Sequence, residues 1–163
     1  MDRQHEEYSW FFRTEFTGVV RTVYLILHDR QRAEDAAQDA FAQLFVHWSK
    51  VSAYDRPDAW VRRVAIRRAV KMLSRDRIRH VLERQEERTV PGPATIDPGL
   101  IDALRSLPPQ QRAAIALFYL EDRPTSEVAQ MLGCSESTAK VHLHRARQRL
   151  AQTLGKEWID VDA

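Results

Sequence analysis

Residues 124–150 read PTSEVAQMLGCSESTAKVHLHRARQRL, a stretch with clear helix start and stop signals. A short helix is predicted over 126–132, Gly133 supplies a sharp turn, and Ser135 caps a second helix that runs from residue 136 to about residue 152. A short helix, a tight turn with glycine and a longer basic helix are typical of a DNA-binding helix-turn-helix.

The longer helix has two opposite faces, because successive residues turn by about 100°. Its apolar side, predicted to pack on the shorter helix, consists of Ala139, Leu143, Ala146 and Leu150. Its outward side carries Ser137, Val141, His144, Arg145 and Gln148. These groups suit a DNA major groove, since arginine can pair with guanine and valine can contact a thymine methyl. A helical hairpin with a merely solvated face is the alternative, and it would leave Val141 exposed without a reason.

Other side chains of the longer helix flank the outward face and are placed for phosphates: Thr138, Lys140, Arg147 and Arg149. A metal cluster of Cys134, His142 and His144 is rejected, because histidines two positions apart on a helix point in nearly opposite directions. Cys134 is interpreted as a turn residue, and we expect neither a metal nor a cofactor.

Charge is unevenly distributed, although the whole chain carries only +2. The stretch 60–80 holds eight basic side chains against the single acid Asp76, and the stretch 135–149 holds four against Glu136. Two separate basic helical segments indicate two contacts with a polyanion, while a pair of solvated helix faces is the alternative.

Helical spacing of apolar residues predicts an all-α fold of two small domains. One stripe covers residues of about 4–28, and a third helix begins at Pro57, with Trp60 in its core side. The second stripe comprises Ala33, Ala36, Ala37, Ala40, Phe41, Leu44, Phe45 and Trp48. The predicted boundaries are a first domain over 1–82, a flexible linker over 83–97 that contains Pro91 and Pro93, a second domain over 98–154 that begins with Pro98, and an acidic tail over 155–163.

Several classes of protein are disfavoured by the sequence. A lone cysteine excludes a disulfide framework, and no apolar run reaches the roughly 18 residues of a membrane span. The polar N-terminus does not resemble a signal peptide, so we expect a cytoplasmic protein. No glycine-rich phosphate loop, HExxH pattern or nucleophile elbow indicates an enzyme.

Several motifs together resemble bacterial RNA polymerase sigma factors of the sigma-70 family. The sequences LPPQQR at 107–112, LFY at 117–119, EVA at 127–129 and STAK at 137–140 are similar to sigma domain 4. AEDAAQDAF at 33–41 and PDAWVRRVA at 57–65 are similar to sigma domain 2. With no domain 3 between them, the chain resembles the extracytoplasmic-function (ECF) group.

The resemblance implies a protein that binds core polymerase, recognises the −35 and −10 promoter elements, helps to open the duplex and is controlled by an anti-sigma factor. The implied polymerase contacts are the β′ clamp helices and the β flap, with β′ bound by Asp35, Gln38 and Asp39. Base contacts to the −35 element are implied for Lys140, Val141, His144 and Arg145, and backbone contacts for Ser137, Thr138, Arg147 and Arg149.

The −10 element would be bound by the connection 49–56, which captures a flipped base, and by the basic helix that follows. The residues implied are Tyr54, Arg56, Arg62, Arg63, Arg67, Arg68 and Lys71. One departure concerns the −10 preference: Ile66-Arg67 stands where many members have an Arg-Asn pair. The competing hypothesis is a transcription activator that uses only the helix-turn-helix. Such a protein would bind its operator without polymerase and as a dimer.

Overall fold

The computed structural model describes residues 2–82 and 98–155, with side chains described for 2–79 and 99–155. The N-terminal module consists of α1 (Arg3–Leu27), α2 (Arg30–Val46), α3 (Trp48–Val51) and α4 (Pro57–Leu82). The C-terminal module consists of α5 (Pro98–Arg105), α6 (Pro109–Ile115), a π-helical turn (Ala116–Leu120), α7 (Thr125–Leu132) and α8 (Glu136–Leu154). These ranges contain no strand, so the predicted all-α fold is confirmed.

Local sequence explains where the helices begin and end. Asp29 caps α2 by accepting a hydrogen bond from the main-chain N–H of Arg32, and Ser135 caps α8 by accepting one from Thr138. His28, which separates α1 from α2, adopts a left-handed conformation with φ 56°. Gly133 does the same between α7 and α8, at φ 71°, where glycine carries no steric penalty.

The N-terminal module is built on a close contact between α1, α2 and α4. The buried face of α2 is mostly alanine, which lets the helices approach closely. Phe41 and Leu44 fill the remaining space. The α1 side supplies Val19, Val23 and Ile26, all fully buried. Phe45 differs from its predicted place in the buried stripe, because it is 50% exposed near the C-terminal end of α2.

The helix-turn-helix has the packing that the sequence predicts. The apolar side of α8 (Ala139, Leu143, Ala146 and Leu150) is buried, as are Val128, Ala129 and Leu132 of α7. Both α7 and α8 begin within one residue of their predicted starts, and α8 continues two residues beyond its predicted end, to Leu154. Cys134 is half-buried at the turn between them.

The two modules pack against each other and share one hydrophobic core, an arrangement that the sequence leaves undetermined. Helix α4 contacts α6 and α7, and α1 contacts α6 and the π-helical turn. The hydroxyl of Thr22 on α1 donates a hydrogen bond to the Glu121 carboxylate of the C-terminal module. Among the described residues, no helix has the length and apolarity needed to cross a membrane. The predicted linker 83–97 lies outside the described residues, as does the predicted tail after Gly155.

Candidate nucleic-acid interface

The outward face of α8 is open to solvent over its N-terminal half. Ser137, Lys140, His144 and Arg145 are exposed, and the apolar side chain of Val141 is 44% exposed among them. Because Leu143 and Ala146 anchor the opposite side in the core, the helix presents this face in a fixed orientation. An exposed valine between polar, imidazole and guanidinium groups matches the chemistry of major-groove base edges.

The side chains at the edges of that face are held in different ways. The hydroxyls of Ser137 and Thr138 lie 3.1 Å and 2.8 Å from the capping Ser135 Oγ, and Arg149 is exposed. Arg147 is half-buried: its Nε donates to Tyr119 Oη at 2.6 Å, and its guanidinium carbon lies 5.5 Å from the Phe118 ring centre. Arg147 therefore braces α8 against the π-helical turn.

The histidines of α8 lie on different sides of the helix, as the spacing requires. His144 is exposed, whereas His142 is half-buried. Burial, together with the nearby Arg145 cation, lowers the pKa of His142. Within residues 2–79 and 99–155, no group of three or more His, Cys, Asp or Glu side chains is placed to hold a metal ion.

The predicted −10 residues fall into two groups in the structure. Tyr54 is 43% exposed in the loop before α4, and the following side chains of α4 are exposed as well: Arg63, Arg67, Arg68 and Lys71. Arg62 departs from this group because it is only 7% exposed. Its Nη1 lies 3.0 Å from Glu15 Oε2 on α1, so in this conformation it joins two helices of the N-terminal module and is not on the exposed face of α4.

Several of these arginines contact other parts of the protein. Arg56 is paired with Asp58 and also with Glu127 of α7, at 3.1 Å and 3.3 Å. A Cβ atom at Gly133 would lie 2.9 Å from Arg67 Nη2 and 3.1 Å from Arg63 Nε, so both guanidinium groups lie against the turn of the helix-turn-helix. The basic face of α4 thus touches the C-terminal module.

The acidic face of α2 is exposed where the sequence places it. Asp35, Gln38 and Asp39 all face solvent, and Asp39 Oδ2 lies 3.0 Å from Arg68 Nη2. Sequence reasoning missed that this face continues as an apolar patch: Phe45 is 50% and Val46 is 74% exposed. Their helical positions, seven and eleven residues beyond Gln38 and Asp35, were the signal that could have revealed it.

The geometry defines a two-module helical DNA-binding protein, with an open recognition helix in one module and a basic helix beside an acidic face in the other. Comparison with known proteins agrees. Residues 11–78 match the family model for Sigma-70 region 2, and residues 99–150 match that for Sigma-70, region 4. The RNA polymerase sigma-E factor of Streptomyces antibioticus is 31% identical over 96% of this chain and 88% of that protein. The chain belongs to the sigma-70 family of RNA polymerase sigma factors, in its ECF group.

Other proteins to which the chain is similar are also sigma factors. The RNA polymerase sigma-E factor of Streptomyces coelicolor is 29% identical over 96% of this chain and 91% of that protein. The ECF RNA polymerase sigma factor SigM of Mycobacterium tuberculosis is 29% identical over 91% of this chain and 77% of its own length. The sigma factor RpoE of Bartonella quintana, solved in complex with the anti-sigma factor NepR, has a similar fold: the TM-score is 0.74 at 22% identity, covering 93% of this chain and 99% of that one.

Proposed function

We propose that this sigma factor directs initiation by placing α8 in the major groove of the −35 element and α4 along the −10 strand. The observation that carries the proposal is the exposed face of α8, where Val141, His144 and Arg145 stand together on a helix fixed by its buried side. Lys140 completes the set of base contacts. The hydroxyls of Ser137 and Thr138, with Arg149, are assigned to the DNA backbone, since they lie at the edges of the same face.

Arg147 is retained among the backbone contacts, because it lies at the edge of the outward face of α8. Its Nε bonds to Tyr119 Oη and its guanidinium carbon lies 5.5 Å from the Phe118 ring centre, so these two rings hold the side chain at that edge. A stacked arginine is held in one orientation, which reduces the entropy lost on binding.

For the −10 element, Tyr54 is assigned to stacking on an extruded base, and the cations of α4 are assigned to the strand backbone. Extruding a base costs a few kcal/mol, so an aromatic surface next to positive charge is required to hold it. The exposed Tyr54 and Arg56, followed by Arg63, Arg67, Arg68 and Lys71, supply both. Arg62 acts from within the module, by holding α4 on Glu15.

The acidic face of α2 is assigned to the β′ clamp helices of polymerase, through Asp35, Gln38 and Asp39, and the C-terminal module to the β flap. We place the protein in the cytoplasm with polymerase, as an initiation factor and not as an enzyme. Control by an anti-sigma factor is proposed by analogy with the Bartonella quintana protein, which was solved with one. The proposed domain bounds are 1–82 and 98–154, which contain the two family matches.

The test is in vitro transcription by purified core polymerase on a library of promoter fragments. We expect a subset of fragments with a common pair of elements to be transcribed only when this protein is added. An activator that uses the helix-turn-helix alone would instead bind DNA without polymerase and would not support initiation by the core enzyme.

A further inference from the structure

A cleft of about 420 Å³ lies between the N-terminal half of α1 and the short helix α3. Two carboxylates and three aromatic rings form most of its lining, which consists of Glu6, Glu7, Trp10, Phe11, Trp48 and Ser52. On α1 each carboxylate stands four positions before a ring, so the two lie on the same face of the helix, one turn apart. The cleft therefore combines negative charge with aromatic surface.

The aromatic side of the cleft is well packed except at one residue. Trp48 is only 8% exposed, with its ring centre 5.2 Å from that of Phe11 and 5.6 Å from that of Tyr8. Trp10 in contrast is 64% exposed. A large exposed ring beside a packed aromatic wall is typical of an interaction site, because tryptophan often anchors protein interfaces.

The carboxylates of the cleft are available to an external cation. Glu7 is paired with Arg3 at 3.1 Å, but the Arg3 side chain is 91% exposed, so this pair adds little stability. Glu6 is exposed, and no cation of the described side chains pairs with it. Carboxylates next to ring faces attract a cation, whereas they repel the phosphates of a nucleic acid.

The shape of the cleft favours a guanidinium group that belongs to a protein. A guanidinium is planar, so it can stack on an indole while its N–H groups donate to carboxylates, which a compact ammonium group does less well. Free small ligands bury most of their surface in their pockets. Because Trp10 lies at an open edge, a ligand here needs further surface around its cation, and a folded partner supplies it.

We propose that this cleft binds an arginine side chain of a partner protein other than core polymerase. The guanidinium lies against Trp10 and pairs with Glu6, and apolar neighbours of the arginine cover the ring. The acids proposed to bind polymerase, Asp35, Gln38 and Asp39, do not line the cleft. The contact is thus separate from the polymerase and promoter contacts of the proposed function.

Two peptides test the requirement for the cation in the full-length protein. One is acetyl-Leu-Arg-Leu-amide, and the other carries citrulline, which has the shape of arginine without its charge. Proton–nitrogen correlation NMR follows the indole N–H signal of Trp48 during titration and gives both affinities. We expect the arginine peptide to bind at least about fivefold more tightly, because the neutral peptide loses the attraction to carboxylates and rings. Equal affinities overturn the proposal.

Matched variants test the two chemical parts of the cleft. Glu6→Gln and Glu136→Gln each remove an exposed acid from the first turn of a helix, α1 and α8 respectively. Only Glu6→Gln should weaken binding of the arginine peptide, by about threefold. Trp10→Leu keeps an apolar side chain but removes the ring face and should cost about threefold, whereas Trp10→Phe should cost less. Unchanged affinity in both Glu6→Gln and Trp10→Leu overturns the proposal.

Further titrations distinguish the source of the cation. Agmatine, a free guanidinium compound, should bind more weakly than the arginine peptide, and tighter binding would make the cleft a small-molecule site. A mixed-sequence single strand of DNA should not displace the peptide, and displacement would assign the cleft to nucleic acid. A dimer that Glu6→Gln dissociates, seen by sedimentation equilibrium, would make the partner a second copy of this chain. Each of these three results overturns the assignment to another protein. None of the measurements contains polymerase, so a failure of promoter-directed initiation would be seen separately.

Discussion

The guanidinium of Arg112 donates a hydrogen bond to the main-chain oxygen of Ile26, 86 residues earlier in the chain, with 3.1 Å between Nη1 and O. Its other terminal nitrogen bonds to the carbonyl of Arg105 at 2.8 Å. The cation thus caps the C-terminal ends of α1 and α5, where the helix dipoles are negative. Burial, with Arg105 and Arg77 nearby, lowers the pKa of Arg112 to about 10, so the group stays charged at neutral pH. One side chain thereby joins the two modules.

Replacing Arg112 should therefore weaken the attachment of the two modules to each other and lower the free energy of unfolding. Arg112→Ala leaves two carbonyl oxygens unpaired and a cavity, and we expect a loss of about 3 kcal/mol in the free energy of unfolding. Arg112→Lys keeps the charge but loses the forked geometry, and it should cost about half as much. Urea unfolding of both variants measures this. A change below about 0.5 kcal/mol in Arg112→Ala would show that the bridge is not structural.

Acid should destabilise the protein through His28, which is buried at the end of α1. Burial, followed by the cations Arg112 and Arg105, lowers the pKa of His28 to about 4. An unfolded histidine titrates near pH 6.5, so between about pH 6.5 and pH 4 the unfolded chain binds a proton that the folded protein does not. The stability that neutral His28 contributes is fully present above about pH 6.5. It is lost as the pH falls towards about 4, by about 3 kcal/mol in total.

The measurement is denaturant unfolding at several pH values between 7 and 4.5. His28→Asn removes the titration while keeping a residue type that tolerates φ 56°. Its stability should depend less on pH than that of the wild type. The exposed His144→Asn serves as the control and should follow the wild type; parallel curves for His28→Asn and the wild type would exclude His28 as the cause.

Arg145 and Arg149 should differ in what they contribute to DNA binding. Arg145 lies on the outward face of α8, so Arg145→Ala should lose about 1–3 kcal/mol at one −35 base pair and relax specificity there. Arg149→Ala, at the edge, should weaken binding to all sequences equally and reduce the salt dependence. Transcription from a set of single-base −35 variants distinguishes the two. A uniform loss with Arg145→Ala would reassign it to the backbone.

The acidic face of α2 should be needed for binding to core polymerase. Asp35→Asn combined with Asp39→Asn removes two exposed charges, and we expect at least about a tenfold loss of affinity for the core enzyme. Glu6→Gln with Glu7→Gln, on α1, removes the same charge elsewhere and should have little effect. Competition binding with labelled wild-type protein compares them. Equal affinities would mean that polymerase uses a different surface of this module.

Much of the fold follows from the sequence, because helical periodicity and caps act within a few residues. Pro57, Ser135 and Gly133 mark real boundaries, and the buried side of α8 is the predicted one. The exposed acids of α2 and the open face of α8 were predicted for the same reason.

Contacts between distant segments could not be predicted in this way. The pairing of Arg62 with Glu15 joins residues 47 positions apart, and no local pattern reveals which carboxylate a buried arginine will meet. Phe45 fits the helical stripe, but it packs at the edge of the module, against the rings of Tyr8 and His5 of α1, and stays half exposed. Ile66 is 1% exposed and lies three and seven positions before Ala69 and Leu73 of the predicted buried side, but the pattern gives no sign of Leu132 of α7, which lines a groove together with Ile66.

The most direct test of the account varies the distance between the two promoter elements. Once a dependent promoter is selected from the library, base pairs are inserted between its −35 and −10 elements, and transcription by core polymerase is measured with this protein added. If α8 and α4 bind the two elements together, an insertion of about five base pairs rotates one element by half a helical turn and should abolish transcription. Transcription that is unaffected by this insertion would contradict binding of both elements by one protein.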